Sequence, residues 1–146
     1  MPYFSKRSKE KLEPCHEDIK LICHHAILDT DFSVTCGHRT KDAQMELFKQ
    51  GRKLINGIWI IEDKSRVITY KDGIKKLSKH NFSPAMAFDA IPFPVDWEDI
   101  NRFFYLSNVL KETARFLLNL GKIKHRLVWG GDWKMKDYPH FQLEDL

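Results

Sequence analysis

Two histidines and an aspartate stand in an order that a hydrolytic metal site could use. Ser78-Lys79-His80 is followed nine positions later by Asp89, in His-Asn-Phe-Ser-Pro-Ala-Met-Ala-Phe-Asp, and the chain closes on Asp137-Tyr138-Pro139-His140 and a short tail. A catalytic zinc ion takes three protein ligands, drawn from neutral imidazoles and a carboxylate, and keeps a fourth position for water. His80, Asp89 and His140 supply such a set. Two neutral imidazoles and one carboxylate leave a net charge of about +1 on the site, enough to acidify a bound water. Asp89 lies in the apolar run Met86-Ala-Phe-Asp-Ala-Ile91. A buried acid in such a run must be paired or metal-bound. The Ser83-Pro84 turn lets the chain double back, so that His80 and Asp89 face one ion. On spacing alone a second reading stays open: His80 in an exposed loop, Asp89 in a salt bridge and His140 in a terminal strand.

The remaining histidines and the three cysteines, Cys15, Cys23 and Cys36, invite a zinc-finger reading. A structural zinc site needs two close Cys or His pairs, each on a turn. Cys23-His24-His25 falls inside a helical pattern, where adjacent side chains diverge. Cys36 and His38 have no second pair. With His16, these residues read as core or surface positions, and neither metal nor disulfide is expected there. The N-terminus is charged with no apolar stretch behind it, so no secretory signal is expected and the thiols read as reduced.

The elements that must position the candidates follow from periodicity. Pro14–Leu28 repeats apolar residues at helical spacing, with Ile19, Ile22, Cys23 and Ala26 on one face. Phe32–Cys36 alternates as a half-buried strand. Thr40 is a helix N-cap, and Ala43–Gln50 is a helix stopped by Gly51. Ile58–Ile61 and Arg66–Tyr70 read as a hairpin, and Ala87–Ile91 as a strand. Asp96 caps a long helix over Trp97–Leu120, whose apolar face includes Ile100, Phe103, Phe104, Leu110 and Leu117. Leu127–Trp129 and Tyr138–Leu143 read as strands around the Gly130-Gly131 turn. Helices and strands are segregated, which predicts an α+β domain with a mainly antiparallel sheet and packed helices.

The chain has 146 residues, with 42% hydrophobic and 30% charged residues. That composition suits one globular domain over 1–146 and excludes a disordered chain. No apolar run reaches the roughly 18 residues of a membrane span. The excess of 24 Lys and Arg over 20 Asp and Glu is small and reads as spread along the chain. No nucleic-acid partner is therefore expected.

Together the motifs resemble a known family. Gly37-His-Arg39-Thr, Ser-Lys-His80 … Ala-Phe-Asp89 and Trp129-Gly-Gly-Asp-Trp133 … Asp137-Tyr-Pro-His140 resemble, in order, the zinc peptidoglycan peptidases of the D-alanyl-D-alanine carboxypeptidase family. Within it the likeness is closest to phage L-alanyl-D-glutamate endopeptidase endolysins. The resemblance runs from about Phe4 to Leu143. It implies the fold shared with vancomycin-resistance D,D-peptidases and the Hedgehog signalling domain. It implies zinc on His80, Asp89 and His140, Asp137 as general base, Arg39 as oxyanion stabiliser and Ser78 as a substrate contact. It also implies a protein made in the host cytoplasm that reaches the wall after release; a monomer is expected, and the chain is too short for a separate wall-binding module beside a complete catalytic domain. The chain departs from many relatives in a longer His80–Asp89 separation, read as a longer loop at the rim of the site. Two alternatives are carried: a D-alanyl-D-alanine carboxypeptidase with the same chemistry, and a non-catalytic wall-binding domain on this fold. Against the second, neither the base nor the arginine is missing.

Overall fold

A computed structural model describes residues 2–146. In chain order the elements are α1 (Lys6–Leu12), α2 (Glu17–Ala26), β1 (Phe32–Cys36), α3 (Lys41–Phe48), β2 (Arg52–Ile55), β3 (Ile58–Ile61), β4 (Ala87–Pro92), α4 (Ile100–Asn119), β5 (Arg126–Trp129) and β6 (His140–Glu144). Strands β1, β4, β6 and β5 lie side by side in that order, and every pairing is antiparallel. The expected α+β class is the one observed. No helix among the described residues is long and apolar enough to cross a membrane.

The core forms where α2 and α4 pack on each other and α4 covers β4 and β5. Ile19, Ile22 and Cys23 of α2 meet Phe103, Leu110 and Leu117 of α4 in one buried cluster. Phe88 and Phe141 stack across β4 and β6 with ring centroids 5.3 Å apart. Each such side chain contributes about 1.5–3 kcal/mol when fully buried.

Local capping explains where several helices begin. Thr40 accepts from the Ala43 amide at 3.1 Å and starts α3 as expected. Helix α2 starts three residues later than its periodicity suggests, because the His16 ring takes the cap and accepts from the Asp18 amide. Cys15 instead bridges Ala85 outside the helix. Helix α4 begins at Ile100 and not at Trp97, since Asp96 accepts from Glu98 in a turn ahead of it. Ile100, at the helix start, and Phe104, one turn on, are exposed and not core. Helix α1 was not legible. It buries only Ser8 and Leu12, too few positions to show a period, and the Ser8 hydroxyl accepts from the Val34 amide.

The hairpin also differs from expectation. Strand β3 pairs with β2 and not with 66–70. Asn56 and Gly57 both take positive φ, the two-residue turn that matches strand twist. Arg52-Lys53 hid β2, because a half-charged segment lacks a strand's alternation. Arg66 ends a 3-10 turn over Lys64–Arg66, and residues 67–70 run as loop against the end of α3, tied there by Arg52 bonding both Phe48 O and Thr69 O.

His16, Asp18 and His125 gather at the start of α2. Their facing atoms are already engaged. Asp18 Oδ2 accepts from the Lys124 and His125 amides and from His125 Nδ1, and His16 Nδ1 accepts the cap bond. Burial works against the Asp18 charge, but His125 and the Lys124 amide hold its carboxyl below the usual range. The cluster clasps α2 to the α4–β5 connection.

Candidate active site

Strand register builds half of the site. Asp89 sits in β4 opposite Cys36 of β1 on one side and His140 of β6 on the other. Phe88 and Ala90 enter the core, so the pleat turns Asp89 to the opposite face. A register shift between Val34 and Cys36 re-aims the end of β1 beside it.

The other half is a one-turn 3-10 helix over Lys79–Asn81, which carries His80. Ser78 caps this turn by accepting from the His80 amide at 3.2 Å, and Asn81 returns a bond to the Ser78 amide. The turn is strapped to the β1–α3 loop. The Arg39 amide donates to His80 O at 2.8 Å, and Asn81 Nδ2 donates to Arg39 O at 2.8 Å.

The three candidate ligands converge. His80 Nε2 lies 3.3 Å and His140 Nδ1 lies 3.6 Å from Asp89 Oδ1. The other nitrogen of each ring is occupied. His80 Nδ1 donates to Gly37 O at 2.7 Å, and His140 Nε2 donates to Gln142 Oε1 at 2.9 Å. Those bonds orient both rings and leave the second nitrogen of each turned toward Asp89. His80 Nε2 is buried with no hydrogen-bond partner among the described residues. Its nearest polar neighbour is Asp89 Oδ1, so a proton or a cation must mediate between the two. Two imidazole lone pairs and one carboxylate around a common point fit a metal cation.

The charges agree with that fit. Burial disfavours an ionised Asp89, yet His140 and His80 hold its carboxyl far below the usual carboxylate range. Burial likewise disfavours a charged His80, but Asp89 and Cys36 push it up to about 9. The Asp89 carboxylate is thus the negative group of the cluster, and a proton on His80 and a metal cation would compete for the place beside it.

Cys36, assigned no chemistry from sequence, sits directly behind this site. Its Sγ is 3.8 Å from His80 Nδ1, and Arg39 Nη2 donates to it at 3.6 Å. With Cys36, His80 and Asp89 also form a close potential ligand group. The ring nitrogen nearest the thiol is the one already donating to Gly37, whereas His140 Nδ1 faces the same Asp89 oxygen as His80 Nε2. Burial opposes a Cys36 thiolate, but His80 and Arg39 bring its pKa below the ordinary value.

Arg39 reaches the cluster from the edge of α3. Nη2 lies 3.8 Å from Asp89 Oδ2, and Nη1 donates to Gln44 Oε1 at 3.0 Å. Gln44 is fully buried and uses its amide to hold Lys71 O at 2.9 Å. Gln44, Asn81 and Gln142 are the site residues that sequence reasoning missed. Each is a neutral amide with no spacing signature, and only its buried, fully bonded state marks it.

Asp137 opens onto the same cleft, which encloses about 310 Å³ and is also lined by Ser78, Trp133 and Lys71. Its amide donates to Gly130 O at 3.0 Å, and its carbonyl accepts from the His140 amide at 3.2 Å. A Cβ on Gly130 would stand 2.5 Å from Asp137 O, so glycine permits this close approach. Reduced solvation pushes the Asp137 carboxyl above its ordinary pKa, and the Asp89 charge adds to that. Trp129 is core, whereas Trp133 lines the cleft against the His140 ring, centroids 5.1 Å apart.

The cleft's donor set fits a metal ion, on an α+β domain with an antiparallel sheet. The chain belongs to the phage L-alanyl-D-glutamate peptidase family, whose description matches residues 1–144. It is therefore a peptidase of peptidoglycan. The fold is similar to that in a crystal structure of the Serratia marcescens L-Ala D-Glu endopeptidase ChiX. The match has a TM-score of 0.64 at 23% identity, over 98% of this chain and 91% of that one. No curated protein matches the chain.

Proposed function

We propose that this protein is a zinc-dependent L-alanyl-D-glutamate peptidase that acts as a phage endolysin. His80, Asp89 and His140 hold the ion. The observation that carries this reading is the convergence of buried His80 Nε2 and His140 Nδ1 on one Asp89 oxygen, while each ring's other nitrogen is tied, to Gly37 O and to Gln142 Oε1. When bound, zinc supplies Lewis acidity, polarising a carbonyl and lowering the pKa of water toward about 7.

The chain's own residues do the rest. Asp137 accepts the proton of the attacking water and returns it to the leaving amine. Its raised pKa suits a group that must both take and give a proton. Arg39, held by Gln44, faces the negative charge that develops on the scissile carbonyl oxygen. Trp133 and the His140 ring form a wall on which the peptide stem lies. Ser78, whose hydroxyl also caps the His80 turn, contacts the stem from the opposite side. The exposed 82–84 segment forms the longer rim expected between His80 and Asp89. We read the protein as a monomer made in the host cytoplasm that reaches the wall after release.

A defined muropeptide digested by the purified protein and read by mass spectrometry tests the bond. Cleavage between L-alanine and D-glutamate is expected. Release of a terminal D-alanine instead would make the protein a carboxypeptidase, and an uncut stem would leave only a binding role.

A further inference from the structure

The chain's positive charge is concentrated, contrary to the even spread expected above. Residues 49–79 carry nine Lys or Arg against three Asp or Glu, a net +6, while the remainder sums to −2. Averaging over the whole chain hides this. The same stretch contains β2 and β3, which pair with each other and with no other strand.

The register of this hairpin puts Arg52, Leu54, Trp59 and Ile61 on one face. Lys53, Ile55, Ile58 and Ile60 share the other. Each face thus has three large apolar side chains above one cation at the base. Both faces stay largely open: Leu54 is 53% exposed on one, where Trp59 is half-buried beside Lys49, and Ile58 is 65% exposed on the other. The exposed apolar surface continues to Ile68 and Ile74, with exposed Lys64, Arg66, Lys75 and Lys76 around it.

A hairpin that docks on a protein buries one face and keeps the other polar. One that is apolar on both faces up to a tight Asn56-Gly57 tip is desolvated only by a medium that surrounds it. Nucleic acid or an anionic wall polymer would satisfy the cations and leave the isoleucines in water. A bilayer with anionic headgroups satisfies both, taking apolar side chains at the acyl boundary and cations above it.

We propose that the β2–β3 hairpin, with its flanking lysines and arginines, docks this protein on an anionic phospholipid surface. Arg52, bonded to Phe48 O and Thr69 O, fixes the hairpin to the body so that its tip projects. Ile68 belongs both to this surface and to the wall of the cleft. Docking therefore holds the cleft beside the bilayer, against the face of the wall nearest it.

The test is co-sedimentation of the full chain with vesicles of equal phosphatidylglycerol and phosphatidylcholine, and with phosphatidylcholine alone. Binding to the first and not to the second is expected. The double substitution Ile58→Asp, Ile60→Asp should weaken that binding at least about tenfold, while cleavage of a soluble muropeptide continues and reports an intact cleft. Lys75→Glu with Lys76→Glu, in an exposed loop, should weaken it independently. Absence of binding to the anionic vesicles overturns the proposal. So does undiminished binding by the aspartate variant, or displacement from vesicles by DNA or isolated wall polymer. Failure on vesicles with an intact muropeptide digest removes this inference alone; an uncut muropeptide would count against the enzymatic reading instead.

Discussion

Asp137→Ala is expected to keep one zinc per chain and to lose at least about 100-fold in turnover, the usual weight of a general base. Both halves follow from geometry. The two candidate ring nitrogens, on β6 and the 79–81 turn, lie within 3.6 Å of Asp89 Oδ1 on β4. None of them depends on the Asp137 side chain, whose carboxylate makes no hydrogen bond or ion pair with a described residue. What fixes the segment is backbone: the Asp137 amide on Gly130 O and its carbonyl on the His140 amide. Alanine keeps those bonds, so the metal site should survive. The carboxylate opens into the cleft with a raised pKa, and that basicity is what the variant removes. Asp137→Glu should recover part of the rate, since it restores an acid one methylene longer. Zinc content and turnover on one muropeptide check both expectations. Loss of zinc in Asp137→Ala would make Asp137 a ligand, and near-normal turnover would assign the base to another group.

His140→Ala should fail differently. It deletes one of two imidazole lone pairs and leaves Gln142 without its ring partner. Turnover should fall to background and zinc should no longer be retained at stoichiometric level. Because the ion binds the folded state, adding it to the metal-free wild type should raise the melting temperature, and the variant should show no such rise. Calorimetry with and without zinc separates this from simple unfolding. A variant that still gains stability from zinc would show that Cys36, His80 and Asp89 suffice to hold the ion.

The sequence carried the chemistry further than it carried the scaffold. His80, Asp89 and His140 are a weak signal by spacing alone and gain specificity from the order of the surrounding motifs; the structure sets both ring nitrogens within 3.6 Å of one Asp89 oxygen. Strand β1 was legible to the residue, because Phe32 and Val34 alternate cleanly against polar neighbours. The hairpin was mispaired for a physical reason: β2 buries nothing, so no alternation is imposed on it, and the Asn-Gly turn alone fixed its partner. Helix α1 escaped because its anchor is a polar atom, the Ser8 hydroxyl on the Val34 amide. Gln44, Asn81 and Gln142 escaped for a similar reason. Their partners are backbone carbonyls, an amide and side chains set by tertiary register, and linear spacing encodes none of that. Cys36 became relevant only when the register placed it opposite Asp89.

The most direct test of the metal centre is to strip the protein with a chelator and titrate zinc back while following cleavage of the L-alanyl-D-glutamate bond. Activity should vanish on stripping, rise in proportion to added zinc and level off at about one ion per chain, as a three-ligand site requires. Cleavage that persists through exhaustive chelation, or that returns without regard to zinc, would contradict the assignment of His80, Asp89 and His140 as the centre of this enzyme.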